Sequence, residues 1–344
     1  MEKRAPLHEK TKYTLLILLM IVLLLGAVLL SLFIGRYSIA PGNVLRILWG
    51  RVSGVPVGGK DESILMNIRM PRVILNVLVG GGLAIAGAAF QGVFQNPLVS
   101  PDVLSVSSGS AFGAVLGIML GAGAMVNTAL ALSLGILSLF LTYGLSKIGG
   151  RGQRSILNLI LAGMIMTALF NALTSFMKYI ADAETQLPEI TYWLMGSFSS
   201  ANYKDVHIVL APILGGAAVL YLLRYRINIL SLGDEEAIAL GVDPAKTRFI
   251  ILFAATLVTA SCVTVTGIIG WIGLVIPHIC RMMVGVNHSK IMGISFITGS
   301  IFMTMVDMCC RILVASEIPI GILTAIIGAP FFAFVFWKTQ HAKE

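Results

Sequence analysis

The sequence predicts an all-α polytopic membrane protein with about ten transmembrane helices. Of its 344 residues, 57% are hydrophobic and only 12% are charged. The mean hydropathy is +0.92, and this composition lies outside the range of soluble globular domains. Apolar runs close to the length of about 20 residues that a membrane-spanning helix needs recur along the chain. We therefore expect one transmembrane domain over residues 13–337, with short cytosolic tails at 1–12 and 338–344.

Polar residues and Gly/Pro-containing breaks divide the apolar sequence into individual spans. The expected spans are 13–34, 73–94, 103–120, 124–145, 156–177, 206–223, 249–269, 271–286, 291–314 and 318–337. Because successive spans alternate in direction, the second to fifth spans have the opposite topology to the seventh to tenth. This arrangement is compatible with an inverted repeat around the sixth span.

Basic residues predict the orientation of these spans. With the N-terminus inside, the cytosolic segments contain most of the 24 Lys and Arg residues, as the positive-inside rule requires. The even number of expected spans then places both termini in the cytosol. This asymmetry across the membrane accounts for the net charge of +8, so we expect no nucleic-acid partner.

Residues 224–248, RYRINILSLGDEEAIALGVDPAKTR, form a polar segment between two apolar spans. Ser231 and Asp234 have the spacing of a capping box, and the helix dipole stabilises carboxylates in a first turn. Gly241 followed by Pro244 predicts the end of the helix. At about ten residues the helix is too short to cross a bilayer. We expect it on the cytosolic membrane face, either as a solvated connector or as a docking element for a soluble partner.

Four glycines recur at every fourth position of the third span and predict a close helix contact. Gly109, Gly113, Gly117 and Gly121 lie on one helix face, where the absence of side chains lets another helix approach. We expect this stripe to serve helix packing.

The sequence contains no recognisable motif for catalysis or metal binding. Residues 54–60, GVPVGGK, match the start of a phosphate-binding loop, but Asp61 replaces the Ser or Thr that would hold magnesium. The four cysteines lack C-x-x-C spacing, so we expect neither a disulfide nor a metal site. A membrane-embedded enzyme is therefore disfavoured.

Few ionisable residues interrupt the apolar spans. Asp307 and Arg311 are four residues apart on one helix face, where they can neutralise each other. Nothing resembles the series of mid-membrane carboxylates expected of a proton-driven carrier. An ion- or proton-coupled secondary transporter is therefore the alternative function and not the favoured one.

Four separated blocks of the sequence together carry a resemblance to one family. They are RMPRVILNVLVGGGLAIAGAAFQGVFQNPLVSPDVLSVSSG at 69–109, SLGDEEAIALGV at 231–242, GIIGWIGLVIPHICRMMVG at 267–285 and DMCCRILVASEIPIGILTAIIGAP at 307–330. Together they resemble the membrane permease subunits of ABC importers for iron siderophores, haem and cobalamin. One departure is visible, because Ser105 stands where the family commonly has glycine.

The resemblance implies that the chain is half of a dimeric translocation pore in a bacterial-type cytoplasmic membrane. The second permease subunit would be either identical or different. An ABC ATPase dimer would dock on the cytosolic side and would hold ATP and Mg²⁺, so that this chain itself needs no cofactor. An extracytoplasmic substrate-binding protein would deliver a ferric siderophore, or a related chelate such as haem or cobalamin.

The resemblance also implies roles for particular residues. Arg69, Arg72 and Arg311 would face outward and pair with carboxylates of the binding protein, or else anchor the helices at the membrane interface. The residues implied at the cytosolic mouth of the pathway are Asn96, Pro97 and Leu98. The residues implied at the ATPase contact are Ser231, Leu232, Gly233, Asp234, Glu235, Glu236, Ala237, Leu240 and Gly241.

Overall fold

The computed structural model describes residues 5–55, 57–148, 155–314 and 316–341. Within these ranges every regular element is helical and no β-strand occurs. The helices are α1 (Ala5–Phe33), α2 (Pro41–Ser53), α3 (Lys60–Ile64), α4 (Met70–Val93), α5 (Val106–Met119), α6 (Ala124–Ile148), α7 (Ser155–Ile180), α8 (Gln186–Leu194), α9 (Tyr203–Leu222), α10 (Arg224–Leu230), α11 (Asp234–Ala239), α12 (Pro244–Thr266), α13 (Ile272–Val284), α14 (His288–Ile312) and α15 (Ile320–His341). A π-helical turn, Leu65–Arg69, joins α3 to α4, and a 3-10 turn, Pro101–Leu104, precedes α5.

Each expected span corresponds to a helix of the structure. In the described ranges, seven helices are long and apolar enough to cross a membrane, namely α1, the continuous helix formed by α3, the π-helical turn and α4, then α6, α7, α9, α12 and α14. The shorter α5, α13 and α15 also contain apolar helical stretches. The predicted set of transmembrane helices is therefore confirmed, and the other helices lie in the connections between them.

The two shortest membrane helices occupy corresponding places in the chain. α5 is the second helix of the group α4–α7, α13 is the second of the group α12–α15, and α9 lies between these groups. Each short helix directly follows a left-handed residue, Ser105 with φ 58° and Trp271 with φ 72°. Short helices at matching positions are typical of inverted-repeat transporters, so this order supports the expected repeat.

Helix α4 forms the centre of the bundle. Its residues from Pro71 to Val93 are almost all buried, in contact with α9, α12, α13 and α14. The backbones of α4 and α14 meet closely, since a Cβ on Gly80 would lie 2.3 Å from the carbonyl oxygen of Gly299. At about 1.5 Å per residue, α4 is roughly 36 Å long and crosses the bundle. We call its two ends the Arg72 end, where α4 begins, and the α11 end, where α10 and α11 lie.

The glycine stripe packs α5 against α6 at three of its four positions. A Cβ on Gly109, Gly113 or Gly117 would come within 2.3–2.7 Å of an α6 atom. Gly121 follows α5 instead, in a turn with φ 61° and with open space around it. The packing role predicted for Gly121 is wrong, because the helix ends at Met119 and the chain needs a left-handed residue to turn.

Candidate functional site

The short acidic helix α11 begins later than the sequence predicted. Ser231 does not cap it, because Ser231 ends α10 and its Oγ donates to the carbonyl oxygen of Asn228 at 2.6 Å. The N-cap of α11 is Gly233, with φ 131° and ψ 164°. The predicted capping box is therefore wrong: a preceding helix uses Ser231, and only glycine readily adopts the backbone conformation found at the true N-cap.

The end of α11 agrees with the sequence. Gly241 has φ 76°, and its N–H donates to the carbonyl oxygen of Ile238, while the N–H of Val242 donates to that of Ala237, both at 2.9 Å. This pair of bonds is a Schellman motif. Asp243 then caps α12 with its side chain. The closing turn and the new cap together fix the direction in which α11 leads into α12.

Helix α11 and its flanks present acidic and apolar side chains together. Glu235 and Glu236 are exposed, and the exposed fractions of Leu232, Ile238 and Leu240 are 62%, 64% and 59%. We call these five residues the α11 surface. Exposed apolar residues that are grouped around charged ones, at a polar end of a membrane protein, mark a contact surface for another protein.

Asp234 is turned away from the α11 surface. Its Oδ1 accepts a hydrogen bond from Nη2 of Arg248 at 2.6 Å, which joins the first turn of α11 to α12. The Asp234 side chain is 44% exposed, so solvent screens the pair and its net contribution is about 0.2–1 kcal/mol. The pair orients α11 without anchoring it firmly.

Helix α10 connects α11 with the membrane helices. Gln95, with φ 51°, donates from Nε2 to the carbonyl oxygen of Leu230 at 2.8 Å, and Asn228 bonds to the start of α14. The predicted mouth residues directly follow Gln95 and are exposed; they are Asn96, Pro97 and Leu98. The structure thus brings these residues and the α11 surface to one end. Sequence reasoning missed Gln95 and Asn228, because a single amide side chain has no diagnostic spacing.

A buried ion network occupies the Arg72 end. Arg72 Nη2 lies 2.9 Å from Asp307 Oδ1, and Arg311 Nε lies 3.2 Å from Asp307 Oδ2. Asn76 donates to the same carboxylate at 2.8 Å, and Arg72 Nη1 pairs with Glu317 at 2.9 Å. The expected neutralisation of Asp307 by Arg311 is confirmed. Beyond this pair, the network joins α4, α14 and the segment before α15.

Arginine side chains also hold the end of α1. Arg311 donates to Ser31 Oγ at 2.6 Å and to the carbonyl oxygen of Ile34 at 2.9 Å, and Arg69 donates to the carbonyl oxygen of Leu32 at 2.6 Å. The three arginines predicted to dock a binding protein are only 5–7% exposed. The expectation that these side chains are exposed to a docking partner is wrong, because buried guanidinium groups need partners and internal acceptors supply them. The alternative interpretation, that they anchor helices, agrees with these contacts.

Asp61 directly follows residues 54–60, which match the start of a phosphate-binding motif, and lies in α3. The Tyr37 hydroxyl donates to Asp61 Oδ1 at 3.1 Å, and Asn43 Nδ2 donates to Oδ2 at 3.0 Å. The bond to this carboxylate and the repulsion that a phenolate would feel beside it raise the pKa of Tyr37. Asp61 therefore connects α3 to the segment before α2 and to the first turn of α2.

The described residues at the two ends of the bundle form no candidate metal site and no disulfide. Within the described ranges, no group of three or more His, Cys, Asp or Glu residues is arranged to hold a metal ion. The four cysteines are free thiols. What the described residues provide is an exposed surface of acidic and apolar side chains at one end and a neutralised ion network at the other.

Known transport proteins share both the sequence and the fold. A molybdate import system permease protein of Haemophilus influenzae is 39% identical over 322 residues, which cover 93% of this chain and 94% of the relative. A Helicobacter pylori protein named as a probable iron chelatin transport system permease is 36% identical over 278 residues, or 80% and 83% of the two chains. A solved inward-facing structure of an ABC transporter, assigned to the metal-chelate type, matches with a TM-score of 0.83 and 38% identity over 93% and 97% of the chains.

The helical bundle and these relatives define a class of protein, the multi-pass permease subunits of ABC importers. The chain belongs to the FecCD transport family, whose sequence profile matches residues 21–338. The resemblance drawn from the four sequence blocks is thereby confirmed. An ion-coupled secondary transporter, the alternative function, belongs to a different class and receives no support from these matches.

Proposed function

We propose that this permease imports a metal chelate, with a ferric siderophore as the favoured cargo, driven by ATP hydrolysis on a separate partner. The observation that supports the motor's contact is the α11 surface, where two carboxylates and three apolar side chains are exposed on a six-residue helix and its flanks. ATP and Mg²⁺ would reside on that ATPase partner. Closure of the ATPase around α11 would tilt the helices on either side, α10 and α12.

In this proposal the α11 end faces the cytosol and the Arg72 end faces the binding protein. Tyr13, near the start of α1, donates to the carbonyl oxygen of Lys290 at 3.0 Å, which supports an N-terminus on the same side as the start of α14. One membrane domain over 13–337 would pair with a second permease subunit, identical or different. The mouth at 96–98 would open beside α11. The docking role of Arg69, Arg72 and Arg311 stays a prediction, and it requires the binding protein to displace their internal partners.

Charge reversal on the α11 surface tests the ATPase contact. We expect Glu235→Lys combined with Glu236→Lys to abolish ATPase association and substrate-stimulated ATP hydrolysis, because two attractive carboxylates become repulsive cations. The matched control is Glu184→Lys with Glu189→Lys, which makes the same charge change on two exposed residues in and before α8. Membrane insertion should be unchanged in both. Normal substrate-stimulated hydrolysis in the Glu235/Glu236 variant would refute the assignment.

Molybdate is a second candidate cargo. It is favoured by the 39% identity to the Haemophilus influenzae molybdate permease over nearly the whole length of both chains. Vesicles that contain the permease, its ATPase and its binding protein would be supplied with radiolabelled ferric siderophore or radiolabelled molybdate. We expect ATP-dependent accumulation of iron. Accumulation of molybdenum without iron would show that the cargo is molybdate and not a ferric siderophore.

A further inference from the structure

Helix α10 is attached to two membrane helices. Gln95 binds the carbonyl oxygen of Leu230 at its end, and Ile227 is fully buried against α4. A Cβ on Gly92 would lie 2.3 Å from Ile227 Cγ2 and 2.8 Å from His288 Nε2. Gly92 thus marks the point where α10, α4 and α14 meet. Any larger residue there would force the three helices apart.

Asn228 makes the polar connection between α10 and α14. Its Oδ1 accepts from the backbone N–H of His288 at 2.7 Å, one of the first-turn donors that have no partner within a helix. Its Nδ2 donates to Asn287 Oδ1 at 2.8 Å and to Ser289 Oγ at 3.0 Å. Because a backbone N–H only donates, the first bond fixes which amide atom is the oxygen. The side chain therefore acts as a cap supplied to α14 by a different helix.

Helices α4 and α14 are fastened to each other along their length. Beyond the backbone contact at Gly80 and Gly299, Ser300 Oγ donates to the carbonyl oxygen of Val77 at 2.7 Å. At the far end, Arg72 and Asp307 form the buried ion pair. Sliding one helix past the other would break the buried pair and separate closely packed backbones, so the two helices move as one body.

We propose that Asn228 is a positioning residue that links the ATPase-contacting segment to the α4–α14 pair, so that displacement of α11 turns this pair. This inference rests on the proposed function. The carbonyl oxygen of Asn228 also accepts the bond from Ser231, directly before the turn at Gly233. The same residue therefore holds both the exit toward α11 and the start of α14.

The coupling ratio, cargo molecules transported per ATP hydrolysed, tests this role. Asn228→Leu keeps the number and branching of the side-chain heavy atoms and removes every side-chain hydrogen bond, so we expect at least a tenfold fall in the ratio while the ATPase still associates. Asn228→Asp keeps the acceptor for the His288 N–H but loses the donor to Asn287 and Ser289, so it should restore part of the ratio. Asn202→Ala is the matched control, because it removes an asparagine cap from α9 at the other end of the bundle. A ratio for Asn228→Leu equal to that of Asn202→Ala would overturn the proposal.

Cross-linking tests whether α10 and α14 move together during transport. Asn228→Cys itself removes the side chain that makes the link, so the double variant Asn228→Cys with Ser289→Cys should couple poorly when each thiol is blocked singly. It should recover coupling when a short bifunctional thiol reagent joins the two thiols. A block caused only by the cross-link would show that the two helices must separate, and would overturn the proposal.

Spin-label distances test the link without the partner proteins. Labels at Tyr225 on α10 and Met305 on α14, which are 60% and 44% exposed, should give a narrow distance distribution that broadens in Asn228→Leu but not in Asn202→Ala. An unchanged distribution would overturn the link. Absence of ATP-driven transport by the unmodified complex would instead overturn the proposed function, and the distances would still decide the role of Asn228.

Discussion

A single carboxylate, Asp307, pairs with two guanidinium groups inside the bundle. Its side chain is 1% exposed, and those of Arg72 and Arg311 are 8% and 5% exposed. With Glu317 the network contains two cations and two anions, so it is neutral as a whole. Removing ions from water is expensive, and only good pairing offsets the loss. The network therefore stabilises the bundle only while all its members are present.

Replacing Asp307 should be the most damaging single change in this network. Asp307→Asn leaves Arg72 with Glu317 alone and Arg311 with no carboxylate, and we expect a loss of about 3–5 kcal/mol. Glu317→Gln removes a partner that is 22% exposed, where solvent compensates more of the lost pairing, so its effect should be smaller. Thermal unfolding of the detergent-solubilised permease, followed by size-exclusion chromatography, measures both. Equal losses would contradict the central place of Asp307.

Ser105 shows how a departure from a family pattern is accommodated at one residue. Its φ of 58° is left-handed, a conformation that glycine adopts without the steric penalty of a side chain. The Ser105 hydroxyl donates to the carbonyl oxygen of Leu104 at 2.6 Å and lies 3.2 Å from Thr142 Oγ1. These local bonds offset part of the backbone strain. A glycine preference in the family is therefore explained by geometry.

At the scale of elements, close helix contacts depend on particular glycines. Gly113→Ala should destabilise the permease, because the new Cβ would lie 2.3 Å from the carbonyl oxygen of Leu130 and would push α5 away from α6. Gly144→Ala is the matched control on α6, where nothing lies within 4 Å and alanine favours the helix by up to about 1 kcal/mol. The thermal unfolding temperature should fall in Gly113→Ala and rise in Gly144→Ala. If both variants were more stable than the unmodified permease, the contact between α5 and α6 would have to accommodate the added Cβ without loss of stability, which would contradict the prediction.

The elements were predictable from the sequence where one local property decides them. An apolar run of suitable length predicts a membrane helix, and the end of α11 was predictable from Gly241, because a left-handed residue is a local requirement. The start of α11 was not predictable, because Ser231 belongs to the end of α10 and does not cap α11. The burial of Arg72 was hidden as well, since its partner Asp307 is 235 positions away in the chain. Side chains satisfied by distant partners leave no mark in local sequence.

At the scale of the whole molecule, α4 and α14 connect the α11 end to the Arg72 end. The α11 surface, Asn228 and the exposed residues 96–98 lie at one end, and the ion network and the end of α1 lie at the other. A short helix displaced at one end can therefore change the arrangement at the opposite end without any large motion inside the pair. Such rigid-body tilting of packed elements is a common way to transmit conformational change.

This architecture requires the two ends to face opposite sides of the membrane. Cysteines introduced at Trp49 on α2 and at Leu232 beside α11 test it, because these side chains are 74% and 62% exposed. A membrane-impermeant maleimide should label Trp49→Cys in intact cells, and Leu232→Cys only after the membrane is permeabilised. The unmodified permease supplies the background from its own thiols, three of which are buried. Labelling of Leu232→Cys in intact cells would place the acidic helix outside, beyond the reach of an ATP-driven partner, and would exclude it as the motor's contact.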